Sequence, residues 1–101
     1  MEKPRTRDGV LRVLEDHRAS LRSLGALRLG LFGSTARDEA GPTSDLDFVV
    51  ELDERTFDRY MDLKLFLEGL FGCRVDLVLA GSIKPRLRST ILHEAVYAAG
   101  L

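Results

Sequence analysis

Eight residues, Asp45 to Leu52, constrain the fold of this chain more than any other stretch. In DLDFVVEL, Leu46, Phe48, Val50 and Leu52 alternate with Asp45, Asp47, Val49 and Glu51. Strand side chains point alternately to two faces, so the first set makes an apolar face and the second an acidic one. The segment is therefore expected to be a strand with one face in a core. At a rise of about 3.3 Å per residue, the Cα atoms of Asp45 and Asp47 stand roughly 6.6 Å apart on the same side. Two carboxylates that close repel, and each is driven towards its protonated form unless a cation lies between them.

The rest of the chain supplies elements to pack against this strand. From about Thr6 to Leu24, apolar positions recur at Val10, Leu14, His17, Leu21 and Leu24, one helical face, and Gly25 is a natural stop. His17 is read as a packing residue on that face. ALRLGLF alternates as a strand, with Leu27, Leu29 and Leu31 on one side. A short helical turn, about Thr35 to Glu39, is expected after Gly33-Ser34, and GPTS is turn chemistry. Asp53 to Thr56 offer N-caps for a helix from Phe57 to Phe71, which Gly72 ends. CRVDLVLA reads as a third strand, with Cys73, Val75, Leu77 and Leu79 on one face. Gly81-Ser82 opens a last helix, about Ile83 to Leu92, with Pro85 in its first turn. The tail EAVYAAG reads as a short strand rather than more helix. Helices alternating with strands predict an α/β domain of one sheet with helices against it.

A length of 101 residues predicts one domain spanning 1–101, and 45% hydrophobic content suffices for one core. Lys and Arg number 15 against 16 Asp and Glu, and a net charge of −1 argues against direct nucleic-acid binding. A small phosphate compound held by a few local groups stays compatible with that balance. The lone cysteine, Cys73, forms no intrachain disulfide, and a cytoplasmic location is expected. MEKPRTRDGV has no apolar run of signal-peptide type, and no stretch approaches the roughly 18 apolar residues of a membrane span, so neither is expected.

Asp76 lies on the face of its strand opposite Cys73, Val75, Leu77 and Leu79. If that strand neighbours the second, Asp76 stands beside Asp45 and Asp47. Three hard oxygen donors suit Mg²⁺, and such a trio is able to hold two ions about 4 Å apart, as in phosphoryl transfer. Gly33-Ser34, between a strand and a helix start, presents backbone N–H groups and a hydroxyl to a phosphate. Arg37, about a turn further on, adds a charged donor. Metal ligands and a phosphate cradle in one short segment point to a nucleoside triphosphate. Plainer roles exist for each residue alone: Ser34 as a helix cap, Arg37 paired with Asp38 or Glu39, and SDLD as a solvated hairpin mouth.

GSTAR, then SDLDFVV, then the Asp of RVDLVL together resemble the DNA polymerase β-like nucleotidyltransferase superfamily, and the small size its minimal nucleotidyltransferase (MNT) branch. The resemblance runs over nearly the whole chain. It implies a mixed β-sheet flanked by helices, with Mg²⁺ or Mn²⁺ on Asp45, Asp47 and Asp76 as the catalytic set. It implies that ATP is held through Gly33, Ser34, Arg37 and Ser44. One departure stands out: the family commonly follows the Arg with Gly, and here Asp38 follows Arg37.

Little of the chain is left over to grip an acceptor, so another chain is expected to bring it. MNT proteins similar to this one pair with HEPN-domain toxins, and some transfer AMP from ATP to a toxin tyrosine. The resemblance therefore implies an antitoxin acting as a protein adenylyltransferase in a hetero-oligomer. Two other readings stay open: a non-catalytic module that neutralises its partner by contact, and a transferase acting on a small molecule. Tyr60 and Tyr97 are read as packing groups, with Tyr97 and the apolar tail also available to a partner.

Overall fold

The computed structural model describes residues 6–37 and 45–101. Its elements are helices α1 (Arg7–Asp16) and α2 (Arg18–Ser23), strand β1 (Ala26–Phe32), the four-residue α3 (Gly33–Ala36), β2 (Leu46–Leu52) and α4 (Phe57–Phe71). After them come β3 (Val75–Leu79), a 3₁₀ turn at Ala80–Ser82, α5 (Pro85–Glu94) and β4 (Val96–Tyr97). The expected GPTS turn and the far end of the helical turn, Asp38 and Glu39, lie outside the described residues.

The strands form a mixed four-stranded sheet in the order β3-β2-β1-β4. β1 runs antiparallel to both β2 and β4, whereas β2 and β3 are parallel. The parallel pair is joined through α4, the crossover that such a pair needs. On one face, Leu29 and Leu31 of β1, Leu46, Phe48 and Val50 of β2, and Val75 and Leu77 of β3 are buried under α1, α2 and α4. The helices contribute Val10, Leu14, Leu21, Leu63, Leu67 and Phe71, and the Phe48 and Phe71 rings lie 5.8 Å apart. The alternation in β2 has thus placed its apolar set in the core and its acidic set on the opposite face.

Local chemistry sets the helix ends. Thr6 and Thr56 cap α1 and α4, their hydroxyls accepting from the Gly9 and Arg59 N–H groups at 3.1 and 3.2 Å. α4 also closes the outer edge of the sheet. Tyr60 Oη donates to the Leu77 carbonyl at 2.6 Å, and Glu68 accepts from the Val75 N–H at 3.1 Å, so β3 does not offer those groups to another strand.

Four expectations need correction. The first helix is two, because the His17 ring Nδ1 lies 2.9 Å from the Val13 carbonyl and competes with the backbone ladder there. The His17 ring still packs, edge to face with Phe66 at 6.3 Å. Leu27 is not on the core face with Leu29 and Leu31: a bulge between Ala26 and Arg28 gives the core position to Ala26 and leaves Leu27 56% exposed. The last helix starts two residues late, since Pro85 sits at its first position, where a missing N–H costs nothing. The turn after β1 begins at Gly33 itself. The expected tail strand is present as β4, and Tyr97 packs there with its ring 4.0 Å under the Arg28 guanidinium.

Candidate active site

β2 lies between β1 and β3, so each of its outward side chains has a neighbour on either side. Asp47 is in register with Phe32, the last residue of β1, and with Asp76 of β3. The condition set by the sequence, that the third strand adjoin the second, is met. Asp45 precedes β2 and is exposed, Asp76 is exposed, and Asp47 is half-buried.

Because Phe32 pairs with Asp47, the chain turns at Gly33 directly beside the Asp47 carboxylate. Gly33 has φ +76°, and a Cβ built on it would stand 2.3 Å from Asp47 Oδ2. Two demands converge on this position: a left-handed backbone and a carboxylate in contact with the Cα. The glycine is what lets the Gly-Ser turn and the acidic cluster share one place.

The electrostatics follow from that crowding. The Asp47 carboxyl is held above its usual 3.8 by burial first, then by the charges of Asp76 and Asp45 and a hydrogen bond with Asp76. Arg37 opposes this and favours the ionised form. Asp47 and Asp76 are the acidic pair that the sheet brings together, with Asp45 two residues before Asp47. Among the described residues no three acidic, histidine or cysteine side chains are gathered tightly enough to enclose a metal ion as they stand. The donor set nevertheless fits a hard divalent cation: all oxygen, like-charged, and carrying a repulsion that a cation would relieve.

Ser34, the second residue of α3, is half-buried, one residue from the Asp47 contact. Arg37 caps α3, and its guanidinium donates to Glu94 Oε2 of α5 at 3.2 Å. This contact spans 57 residues of sequence and exists because the chain folds back to bring α5 past α3; Asp38 and Glu39, the neighbours considered for Arg37 from the sequence, lie outside the described residues. Ser44 lies outside the described residues. Sequence reasoning missed Glu94 because only the fold brings α5 past α3.

It also missed Thr35. This residue is 1% exposed, and among the described residues its hydroxyl has no hydrogen-bond partner. A buried hydroxyl left unpaired costs about 1–3 kcal/mol. Thr35→Val, which keeps the shape and removes the orphan, should therefore raise the melting temperature. An unchanged or lower value would show that the hydroxyl is satisfied in solution. The only signal available was a second polar residue in GSTA at a position that α3 turns inward.

Comparisons with known proteins agree with this fold. The family model for the nucleotidyltransferase domain matches residues 14–98. The protein adenylyltransferase MntA of Thermococcus cleftensis is 37% identical over 94 residues, covering 91% of this chain and 95% of that protein. A solved structure described as a candidate minimal nucleotidyltransferase superposes with a TM-score of 0.78 at 41% identity, covering 90% of this chain and 94% of its own. One chain of the complex of a tri-AMPylated Shewanella oneidensis HEPN toxin with an MNT antitoxin superposes with a TM-score of 0.64, covering 90% of this chain and 73% of its own. At 20% identity that last likeness concerns the fold alone.

Proposed function

This chain belongs to the nucleotidyltransferase domain family, and on that premise we propose that it transfers AMP from ATP to a tyrosine hydroxyl of a HEPN-type toxin, so acting as an antitoxin. The observation that carries the reading is the meeting at Asp47, where Asp76 of the next strand and the Gly33-Ser34 turn reach the same carboxylate. Acidic ligands and a phosphate-binding turn in contact are what a triphosphate substrate requires. The protein acceptor is supported by the relative named a protein adenylyltransferase. The HEPN class is supported by the AMPylated toxin seen beside a chain of this fold.

Asp45, Asp47 and Asp76 would hold Mg²⁺, or Mn²⁺ in its place. When bound, the metal supplies charge neutralisation at the α-phosphate and makes the attacking hydroxyl more acidic. The Gly33-Ser34 turn receives the β- and γ-phosphates, with the Ser34 hydroxyl and Arg37 as donors. Ser44, close before Asp45 in the chain, joins the nucleotide-binding set. The tyrosine oxygen attacks the α-phosphorus and forms the new P–O bond. The α–β anhydride bond breaks, and pyrophosphate leaves with its electron pair. Asp76, exposed at the edge of the cluster, takes the hydroxyl proton. Positioning and fixed charge supply most of the acceleration. Among the described residues no helix is long and apolar enough to cross a membrane. The proposed reaction is a cytoplasmic one because its substrates, ATP and Mg²⁺, are plentiful there.

The test uses ATP labelled at the α-phosphate or at the γ-phosphate, with the purified chain, Mg²⁺ and a HEPN-type protein of the same genome. Label from the α position should appear on the partner and label from the γ position should not. Transfer of γ-label would mean phosphoryl transfer and would sink the assignment. Ser34→Ala and Arg37→Ala should each weaken Mg·ATP binding by about 10- to 150-fold in calorimetric titration, the worth of one charge-assisted hydrogen bond of about 1.5–3 kcal/mol. Both should change the melting temperature little. If Ser34→Ala unfolds the chain with unchanged affinity per folded molecule, Ser34 is a cap and the phosphate cradle is wrong.

A further inference from the structure

At the far end of the sheet from the carboxylates, a groove of about 430 Å³ opens between α5 and the ends of β2 and β3. Its apolar walls include Leu27, Leu79 and Leu92, and its cations are Arg55 and Arg88. Leu27 reaches it through the β1 bulge, and Leu92 is 36% exposed on α5. The bulge thus withdraws a leucine from the core and adds it to this surface. Arg55 lies against Gly81, where a Cβ would come within 2.8 Å of its Nη2, so the bare glycine is what lets the guanidinium settle there.

The charges in the groove are not balanced. Glu51, the acidic residue of the lining, faces Arg28 at 3.9 Å. Among the described residues, no hydrogen bond or ion pair engages the guanidinium of Arg55 or of Arg88. Lys84 and Arg86, exposed beside Arg88 on the way into α5 and in its first turn, extend the positive potential. α5 itself buries none of its residues fully. Leucines beside unpaired arginines suit an amphipathic acidic protein segment: apolar side chains fill the floor and carboxylates meet the guanidinium groups in bidentate fashion. RNA fits less well, because the lining holds no aromatic ring for base stacking.

We infer that this groove is the docking site for the acceptor protein, binding a segment in which carboxylates alternate with leucine-like side chains. The inference rests on the reading of the chain as a transferase with a protein acceptor. Asp47 and Glu51 share the outward face of β2, four residues and so about 13 Å apart. A segment anchored at the groove therefore holds neighbouring residues of the same partner within reach of the carboxylates, which raises the effective concentration of the hydroxyl.

The experiment measures binding and transfer separately, with the full chain and a HEPN-type protein of the same genome. Arg55→Glu with Arg88→Glu should raise the dissociation constant for the partner at least about tenfold, as charge reversal at an interface does. Leu27→Ser should weaken the partner several-fold by the apolar route. Calorimetric titration of Mg·ATP into both variants should match the native chain, which also shows that they are folded. Unchanged partner affinity in the charge-reversal variant overturns the docking site, whether or not AMP is transferred. Weakened affinity with no AMP transfer by the native chain leaves the docking site standing and removes the transferase reading. Failure of the native chain to bind the partner overturns both. Binding of a fluorescein-labelled single-stranded RNA that Arg55→Glu with Arg88→Glu abolishes would make the groove a nucleic-acid surface and overturn the inference.

Discussion

Asp47→Asn is expected to lower AMP transfer by about 10²–10³-fold or more, the scale of losing a central electrostatic group in a catalytic site, while making the metal-free protein more heat-resistant. The two effects have one cause. Asp47 is half-buried between Asp76 and Asp45, so its carboxyl is held above its ordinary value. A carboxyl raised in this way costs the folded state stability when it ionises. That cost is absent below the unfolded value near 3.8 and is incurred as pH rises through the folded value. At neutral pH and without Mg²⁺ the Asn variant should therefore melt above the native chain. The gap should close as the pH falls into the range where native Asp47 is protonated. Added Mg²⁺ with ATP should reverse the order, since only the native chain gains from binding. Melting curves at neutral and acid pH, with and without Mg·ATP, check all of this. A variant less stable than native without metal at neutral pH would mean that Asp47 is satisfied by its own neighbours and is no ligand.

Gly33→Ala should damage both the fold and the site. An L side chain at φ +76° pays about 1–2 kcal/mol for the left-handed backbone alone, roughly 5–15 °C of melting temperature in a domain of this size. The new methyl would also stand 2.3 Å from Asp47 Oδ2, so the carboxylate or the turn has to move. Transfer should fall by more than the loss of folded protein explains, because a displacement of about 1 Å at a reacting group costs around 10²-fold. Gly30→Ala offers a comparison. A Cβ there meets the Tyr97 ring and Val49, at the middle of the same face, rather than an acidic group. If Gly33→Ala kept native transfer per folded molecule, the contact between the turn and Asp47 would be incidental.

Much of this was legible in the sequence, for identifiable reasons. β2 was readable because its alternation is broken only at Val49 and both of its neighbours bury the same face. α4 was readable to the residue because Thr56 caps it and Gly72 stops it. Asp76 could be placed on the outward face from parity alone, and only the order of strands had to be supplied. What escaped was set by non-local contact or by a one-residue irregularity. The β1 bulge reverses the facing of Leu27, and the glycine just before it, Gly25, reads equally well as a plain helix stop. The break at His17 depends on a side chain turning back to a carbonyl. Glu94 meets Arg37 only because α5 returns past α3, and the orphan hydroxyl of Thr35 depends on how α3 is buried. The family resemblance, carried by Gly33, Ser34, Asp45, Asp47 and Asp76, covered the mixed sheet that periodicity alone left unordered.

The central claim is that the Asp47 cluster puts AMP on a protein partner. Intact-mass spectrometry of the HEPN-type partner, after incubation with the native chain, ATP and Mg²⁺, tests it most directly. The partner should gain the mass of one AMP group or a whole multiple, mapped by fragmentation to tyrosine, and Asp47→Asn should leave it unmodified. A partner that stays unmodified by the native chain, yet is bound and neutralised by it and by Asp47→Asn alike, would contradict the account and show that contact alone protects.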